Sequence, residues 1–441
     1  MLLSTTFEIQ SWMIIPFGIM LLTIAIGPLI AEHWWENDRN KLIVSLLLGV
    51  PTAIYLICNG LLHNVEHQLL YDYVPFIILL CSLFVTTGGI HLSGDIKAKP
   101  AINTIFLALG WILASFMGTT GAAMLLIRPL LATNSERKHT VHTVLFFIAL
   151  VANCGGLLTP LGDPPLFLLY LRGADFGWFM NLLPQWTFVG VSLLIIYFIL
   201  DSYFYKKEDK ADIKNDTQEV KPLRITGCIN FIYLAAIILS VAFINAGYIP
   251  QMGEENAPLY IKLLREIVLI VVILLSLYTT KKEVRTANQY SWGPIIEVAV
   301  VFLGIFITMI PAMEYLKANA SSLGLTAPWQ FYYCTGALSA FLDNAPTAVA
   351  FHSLAQGLDA TTISSFGSES AAGIPEILLK AISIGSVFFG AMTYIGNGPN
   401  FMVKAIAEEN GIKMPSFFGY MIKFSLIVLL PLYILVQLIF F

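Results

Sequence analysis

The stretch "LTPLGDPPLFLL" (158–169) sets Gly162, Asp163, Pro164 and Pro165 in a row inside an otherwise apolar run, 140–172. Proline removes a backbone donor and clashes with the preceding turn, so no continuous helix passes through this point. Within a bilayer every backbone polar group must be satisfied internally, and unwound chain persists only where protein or a polar cavity surrounds it. The break falls near the middle of its run, so it predicts a polar centre deep inside a membrane protein, with Asp163 supplying charge and the freed carbonyls supplying oxygen.

Composition agrees with a membrane setting. Of the 441 residues, 57% are hydrophobic and 12% charged, against about 25% charged in soluble domains; the mean hydropathy is +0.77. The formal charge of -4 says little about partners, and no basic patch points to a nucleic-acid partner. The first apolar run, 13–31, lacks a basic leader and a small-x-small cleavage site, so it reads as a retained helix. Cys58, Cys81, Cys154, Cys228 and Cys334 stand singly in apolar segments, which argues for small buried residues rather than a disulfide framework or zinc.

The charged segment 206–224 divides the chain near its midpoint into a first membrane repeat, 1–205, and a second, 225–441. Spans are expected near 13–31, 41–59, 74–91, 140–172 and 182–205, then near 225–248, 259–279, 290–313, 376–405 and 417–440. Each half also holds an apolar pair whose arms fall short of the ~20 residues a crossing needs: 101–132 and 328–357. These predict re-entrant hairpins. "GLLTPLGDPPLF" (156–167) lies over "GAMTYIGNGPNF" (390–401) with Gly, Thr, Gly, Pro and Phe in register, so the helix-breaking residues recur and an internal repeat is expected.

An odd number of crossings per half inverts the second repeat. With both termini outside, Arg39, Lys41, Lys97, Lys99, Arg137, Lys138, the linker cluster, Lys281, Lys282, Arg285, Lys404 and Lys413 fall on the cytoplasmic side, as the positive-inside bias requires. The linker 206–224 is then cytoplasmic. The expected fold is an all-α polytopic membrane protein with two inverted repeats, each of five spans plus a re-entrant hairpin, and a broken helix in each half.

Broken helices at matching positions of inverted repeats mark substrate sites in secondary transporters. Asp343 adds a second acid in "FLDNAPTA". An ionised Asp at a helix centre costs roughly 2.5–3.5 kcal/mol on insertion scales, which makes intramembrane acids functional candidates. Asp163 and Asp343 alternatively cap half-helix N-termini, where negative charge is favoured. Thr159, Thr393, Asn344, Asn397 and Asn400 offer the hydroxyl and amide oxygens that a hard cation accepts. Thr119, Thr120 and Thr347 offer the same or serve as interhelical glue, while Gly162 and Gly396 shape the breaks. A cation or proton site is thus placed on Asp163, Asp343, Asn344 and Asn397. Glu297 belongs to a proton path or an interhelical pair, Arg128 attracts an anion or, the commoner fate, snorkels to the cytoplasmic face, and Lys262, Arg265 and Glu266 read as interfacial. His33, Glu36, His63 and His67 lie in loops without a metal spacing.

These motifs resemble the ion transporter superfamily, and within it NhaD-type sodium/proton antiporters and the citrate transporters related to them. "SAFLDNAPTA" (339–348) is similar to the hairpin of the antiporter and arsenite-pump branches, and "TPLGDPP" pairs with "TYIGNGPN". The resemblance implies elevator-like motion, a homodimer, and ion binding through Asp163, Asp343, Asn344, Asn397 and Thr393. Dicarboxylate carriers of the superfamily carry Ser-Asn-Thr at both tips; the tips here read Gly-Thr-Thr-Gly and Asp-Asn-Ala-Pro.

The expected function is exchange of sodium for protons across the inner membrane, with no cofactor beyond the transported ions and with the lipid bilayer and a small ion or carboxylate as partners. Sodium- or proton-coupled citrate or dicarboxylate transport is the alternative, and arsenite efflux a more distant one. "LYDY" (70–73) with "PLGD" (160–163) suggests the paired acids of an intramembrane aspartyl protease, but Pro160 stands where that enzyme has glycine and Asp72 is expected at a loop edge. No enzyme activity is expected.

Overall fold

The computed structural model describes residues 9–35, 37–209, 221–254 and 256–441. Residues 1–8 of the first expected repeat, 210–220 of the expected linker, and Glu36 lie outside the described residues. Eight described helices are long and apolar enough to cross a membrane, and the protein is an all-α polytopic membrane protein.

Helix α1 (Ile15–Ile30) leads into α2 (Asp38–Cys58), whose first turn is capped by the Asn37 side chain accepting from Arg39 N. Helix α3 (Leu62–His67) runs through a π-helical segment, Gln68–Tyr73, into α4 (Val74–Thr87). The wider turn re-aims the side chains it carries, and it buries Gln68 and Asp72. Asp72 is therefore not at an exposed loop edge: residues 62–73 are helical and continuous with the next span.

A short strand β1 (His91–Asp95) precedes α5 (Pro100–Met117) and α6 (Thr119–Thr133), which turn about Gly118 at φ +80. At 18 residues α5 is one of the eight crossing-length helices and so exceeds the short arm expected within 101–132; Pro100 starts it at a first-turn position where its missing N–H costs nothing. Helix α7 (Val141–Leu150) ends at irregular chain that holds a 3-10 turn, Cys154–Leu158, and helix resumes as α8 (Pro164–Leu171). Helix α9 (Leu183–Tyr205) closes the first half.

Strand β2 (Lys221–Thr226) pairs antiparallel with β1, His91 opposite Thr226, so the end of the expected linker is ordered against the first half. Helices α10 (Ile229–Phe243) and α11 (Leu264–Thr279) are 15 and 16 residues long, shorter than the spans expected at 225–248 and 259–279. Gly227 at φ +77 fixes the start of the first, and Asn245, whose side chain accepts from Gly247 N, turns the chain after it. Helix α12 (Gly293–Ala318) packs along α2. Helices α13 (Pro328–Ser339) and α14 (Asn344–Gln356) flank a bend at 340–343. Helix α15 (Glu376–Phe389) ends at a 3-10 turn, Gly390–Met392, and α16 (Gly398–Glu409) resumes the path. A π-helical stretch, Met421–Leu429, leads into α17 (Leu430–Phe440).

Burial sorts these helices. The segment Val141–Leu158 is 89% buried, whereas Asp38–Cys58 is 28% buried. The interrupted segment at Val141–Leu158 thus lies in the interior while α2 faces outward, and the open backbone is enclosed by protein. Of the cysteines only Cys154 is buried. Cys58 and Cys228 are exposed, because they sit at helix ends on outward faces.

Charged groups are paired rather than spread over the interface. Lys41 meets Glu297 at 2.7 Å, joining α2 to α12. Arg265 and Glu266, in the first turn of α11, are enclosed by protein: both are buried and paired at 2.5 Å, and Arg265 also donates to the Tyr170 hydroxyl of α8. Arg128 donates to the Gln289 side chain at 2.7 Å, so its guanidinium is held by protein. Arg137 and His142 both bind Asp201 of α9, tying the mouth of the α5–α6 hairpin to α7 and α9.

Candidate functional site

Four helices begin at one point. Gly118, Asp163, Asp343 and Asn397 stand immediately before α6, α8, α14 and α16. Asp163 is 1% exposed and gathers the first residue or cap of the other three helices. Its Oδ1 accepts from Thr119 Oγ1 at 2.8 Å and Asn397 Nδ2 at 3.0 Å, and its Oδ2 accepts from Asn344 Nδ2 at 2.5 Å. The backbone joins in, with Thr119 N donating to Gly162 O at 2.8 Å. Each helix N-terminus carries roughly half a positive charge, so the convergence offsets part of the cost of burying the carboxylate.

Glycine spacing makes these approaches possible. A Cβ on Gly162 would run into the Gly156 carbonyl, and one on Gly396 would lie 2.7 Å from Gly390 O. Both breaks therefore fold back on a glycine at the same separation. The threonines match as well. Thr159 donates to Ser115 O and accepts from Leu161 N, while Thr393 donates to Ala340 O at 2.5 Å and accepts from Ile395 N and Gly396 N. The hydroxyls of Thr159 and Thr393, expected as ion ligands, are thus engaged in holding each break to a hairpin tip.

The remaining expected residues fall into three positions. Asn400 lies one step from the carboxylate: Asn153 donates to Asn400 Oδ1 at 2.7 Å and accepts from Asn397 Nδ2 at 3.2 Å. Asp343 caps its own helix by accepting from Ala345 N, and Thr347 donates back to the Asp343 carbonyl. Thr120, with Gly118, Thr119, Gly162, Leu83 and Val298, lines a cavity of about 80 Å³ beside the break. Asn153, fully buried, escaped the sequence reading although an amide within the run 140–172 was a legible signal. Among the described residues no group of three or more His, Cys, Asp or Glu is placed to hold a metal, and no basic side chain pairs with Asp163 or Asp343.

A buried acid among helix N-termini, inside a bundle of membrane helices, defines an integral membrane protein with a polar site in its interior. The sequence profile of a transport family described as "Putative citrate transport" matches residues 6–441, and the chain belongs to that family. It is also similar to the inner membrane protein YbiR of Escherichia coli (strain K12), at 22% identity over 286 residues, which cover 62% of this chain and 69% of that protein.

Proposed function

We propose that the protein is a secondary active transporter that exchanges sodium for protons across the inner membrane. One observation carries this reading: the buried Asp163 carboxylate is held by three uncharged donors and by no cationic side chain. A charge without an ionic partner at such depth is strongly unfavourable, and a proton or a bound cation relieves it. Both relieve it at the same oxygens, so they compete, and competition for one carboxylate that each side of the membrane can reach in turn is exchange.

The neighbours suit both states. The Asn344 and Asn397 amides donate to Asp163. Turning either amide about its terminal bond swaps nitrogen for oxygen and converts a donor to the carboxylate into a ligand for a hard cation. Asp343, Asn344, Asn397, Thr119 and Asp163 form the proposed sodium site, and Thr159, Thr393 and Asn400 hold its frame.

Support for two inverted repeats comes from the matched breaks: Gly156 with Gly162 and Gly390 with Gly396, and Thr159 and Thr393 each bound to a hairpin tip. On this reading 1–205 and 225–441 are the repeats, both termini lie outside, the linker is cytoplasmic, and a homodimer supports an elevator-like movement of the hairpins and broken helices.

A second reading, cation-coupled uptake of citrate or a dicarboxylate, is favoured by the family's description and by four helix N-termini suited to an anion. The decisive experiment follows the pH gradient in everted vesicles on adding sodium, lithium, potassium or citrate. Dissipation by sodium, lost in Asp343→Asn, supports exchange. Silence toward every cation with a response to citrate transfers the assignment to the carboxylate carrier.

A further inference from the structure

A second polar cavity lies apart from the site at Asp163. It measures about 330 Å³ and is lined by His63, His67 and Gln68 of the α3–π segment, Asp72, Arg172 just after α8, and Glu314 of α12. Its volume lies in the range of small-molecule sites. The eight residues of α8 separate its Arg172 end from Asp163 by about 12 Å at 1.5 Å per residue, so the cavity occupies the far end of the half-helix that Asp163 begins.

Its floor and its rim differ. At the floor Gln68 is 8% exposed and its Nε2 is buried without a hydrogen-bond partner among the described residues. An unsatisfied buried donor is costly and marks a place where an acceptor is missing. Beside it Arg172 makes, among the described residues, one long polar contact, Nη2 to Asp72 Oδ2 at 3.5 Å, which leaves most of a planar fork suited to bidentate binding of a carboxylate. At the rim Glu314 is exposed and offers acceptor oxygens. The two carboxylates Asp72 and Glu314 outnumber the one guanidinium, Arg172, in the lining, which opposes a polyanion.

We propose that this cavity binds a small organic monocarboxylate that carries a hydrogen-bond donor at its other end. The carboxylate bridges the Arg172 guanidinium and the Gln68 amide, and the donor meets Glu314. The site is independent of the ion exchanged at Asp163. Its ligand also lies where the end of α8 faces α3 and α12, so it competes with Asp72 for Arg172 across that seam.

The test is calorimetric titration of the purified, detergent-solubilised full chain with probes matched in length: 4-aminobutyrate, butyrate and butylamine, with citrate as the polyanion. The expected order is 4-aminobutyrate tightest, butyrate weaker, and butylamine and citrate weakest. Arg172→Gln is expected to weaken the carboxylates about tenfold or more, and Gln68→Leu about fivefold, while Asp163→Asn leaves them unchanged. Butylamine binding as well as butyrate, citrate binding tightest, no heat from any probe, or carboxylate binding lost in Asp163→Asn would each overturn the proposal. If Arg172→Gln fails to fold because Asp72 is left unpaired, the wild-type probe order and Gln68→Leu decide alone.

Discussion

Replacing Asp163 by Asn separates the charge of the central side chain from its shape. Asp163 Oδ1 now accepts from Thr119 and Asn397, and Oδ2 from Asn344 at 2.5 Å. An amide in its place has one acceptor oxygen, so its NH₂ must face a former donor. Rotation of the Asn344 amide presents an oxygen there and restores the bond. The loss of hydrogen bonds to a charged group costs about 1.5–3 kcal/mol, and removing a buried charge that lacks an ionic partner recovers a desolvation penalty of several kcal/mol. These terms oppose, so the net change in stability is expected within about 2 kcal/mol and the variant should accumulate in the membrane. Cation binding behaves otherwise. Opposite unit charges 4 Å apart attract by about 4 kcal/mol at an effective dielectric constant of 20, which is close to a thousandfold in affinity, and the amide cannot take the proton in exchange. Sodium-driven dissipation of the pH gradient in everted vesicles is therefore expected to vanish, while the purified variant keeps a melting temperature within a few degrees of the wild type. Exchange persisting above about a tenth of the wild-type rate would refute the assignment of Asp163 as the shared site.

Because proton and sodium contend for one carboxylate, the half-saturating sodium concentration should rise as pH falls while the maximal rate at saturating sodium changes less; a half-saturation that stays constant across pH would argue for separate sites. Gly162→Ala drives a methyl into the Gly156 carbonyl, and overpacking of this kind costs about 1–3 kcal/mol, so a lower melting temperature together with lost transport is expected, whereas Gly398→Ala meets no atom nearby and should keep its melting temperature. Arg265→Gln leaves Glu266 buried without its partner, for which about 3–5 kcal/mol is expected in thermal melts. The double change to Met at 265 and Leu at 266 should recover most of that loss, and failure to recover would show that the pair does more than neutralise itself.

Much of the architecture was legible because it is local. Apolar run length marks helices, and Gly162, Pro164 and Pro165 stop one wherever the chain goes, as do Gly396 and Pro399. A lone acid in such a break announces its own importance, since burying charge is costly under any packing. Register within a repeated motif pairs Thr159 with Thr393 and Gly162 with Gly396 before any contact is known.

Contacts between distant elements were decided by the tertiary structure. That Thr119, Asn344 and Asn397 converge on Asp163 depends on four helices beginning at one point, and no periodicity encodes where a helix N-terminus lands. Asn153 matters because it bridges Asn397 and Asn400 of the other half, a role invisible within its own run. Thr159 and Thr393 carry cation-ligand chemistry in their hydroxyls, yet packing spends those hydroxyls on the tips of the hairpins. Arg265 and Glu266 read as interfacial from their position at a helix start, and only the approach of Tyr170 and its neighbours reveals them as a buried pair. The sequence by itself determined where the chain must break and where charge must be buried, because sterics and desolvation act on each residue alone. Which groups answer that charge was settled by the fold, because hydrogen bonds need partners within about 3 Å and only packing brings residues of the two halves that close.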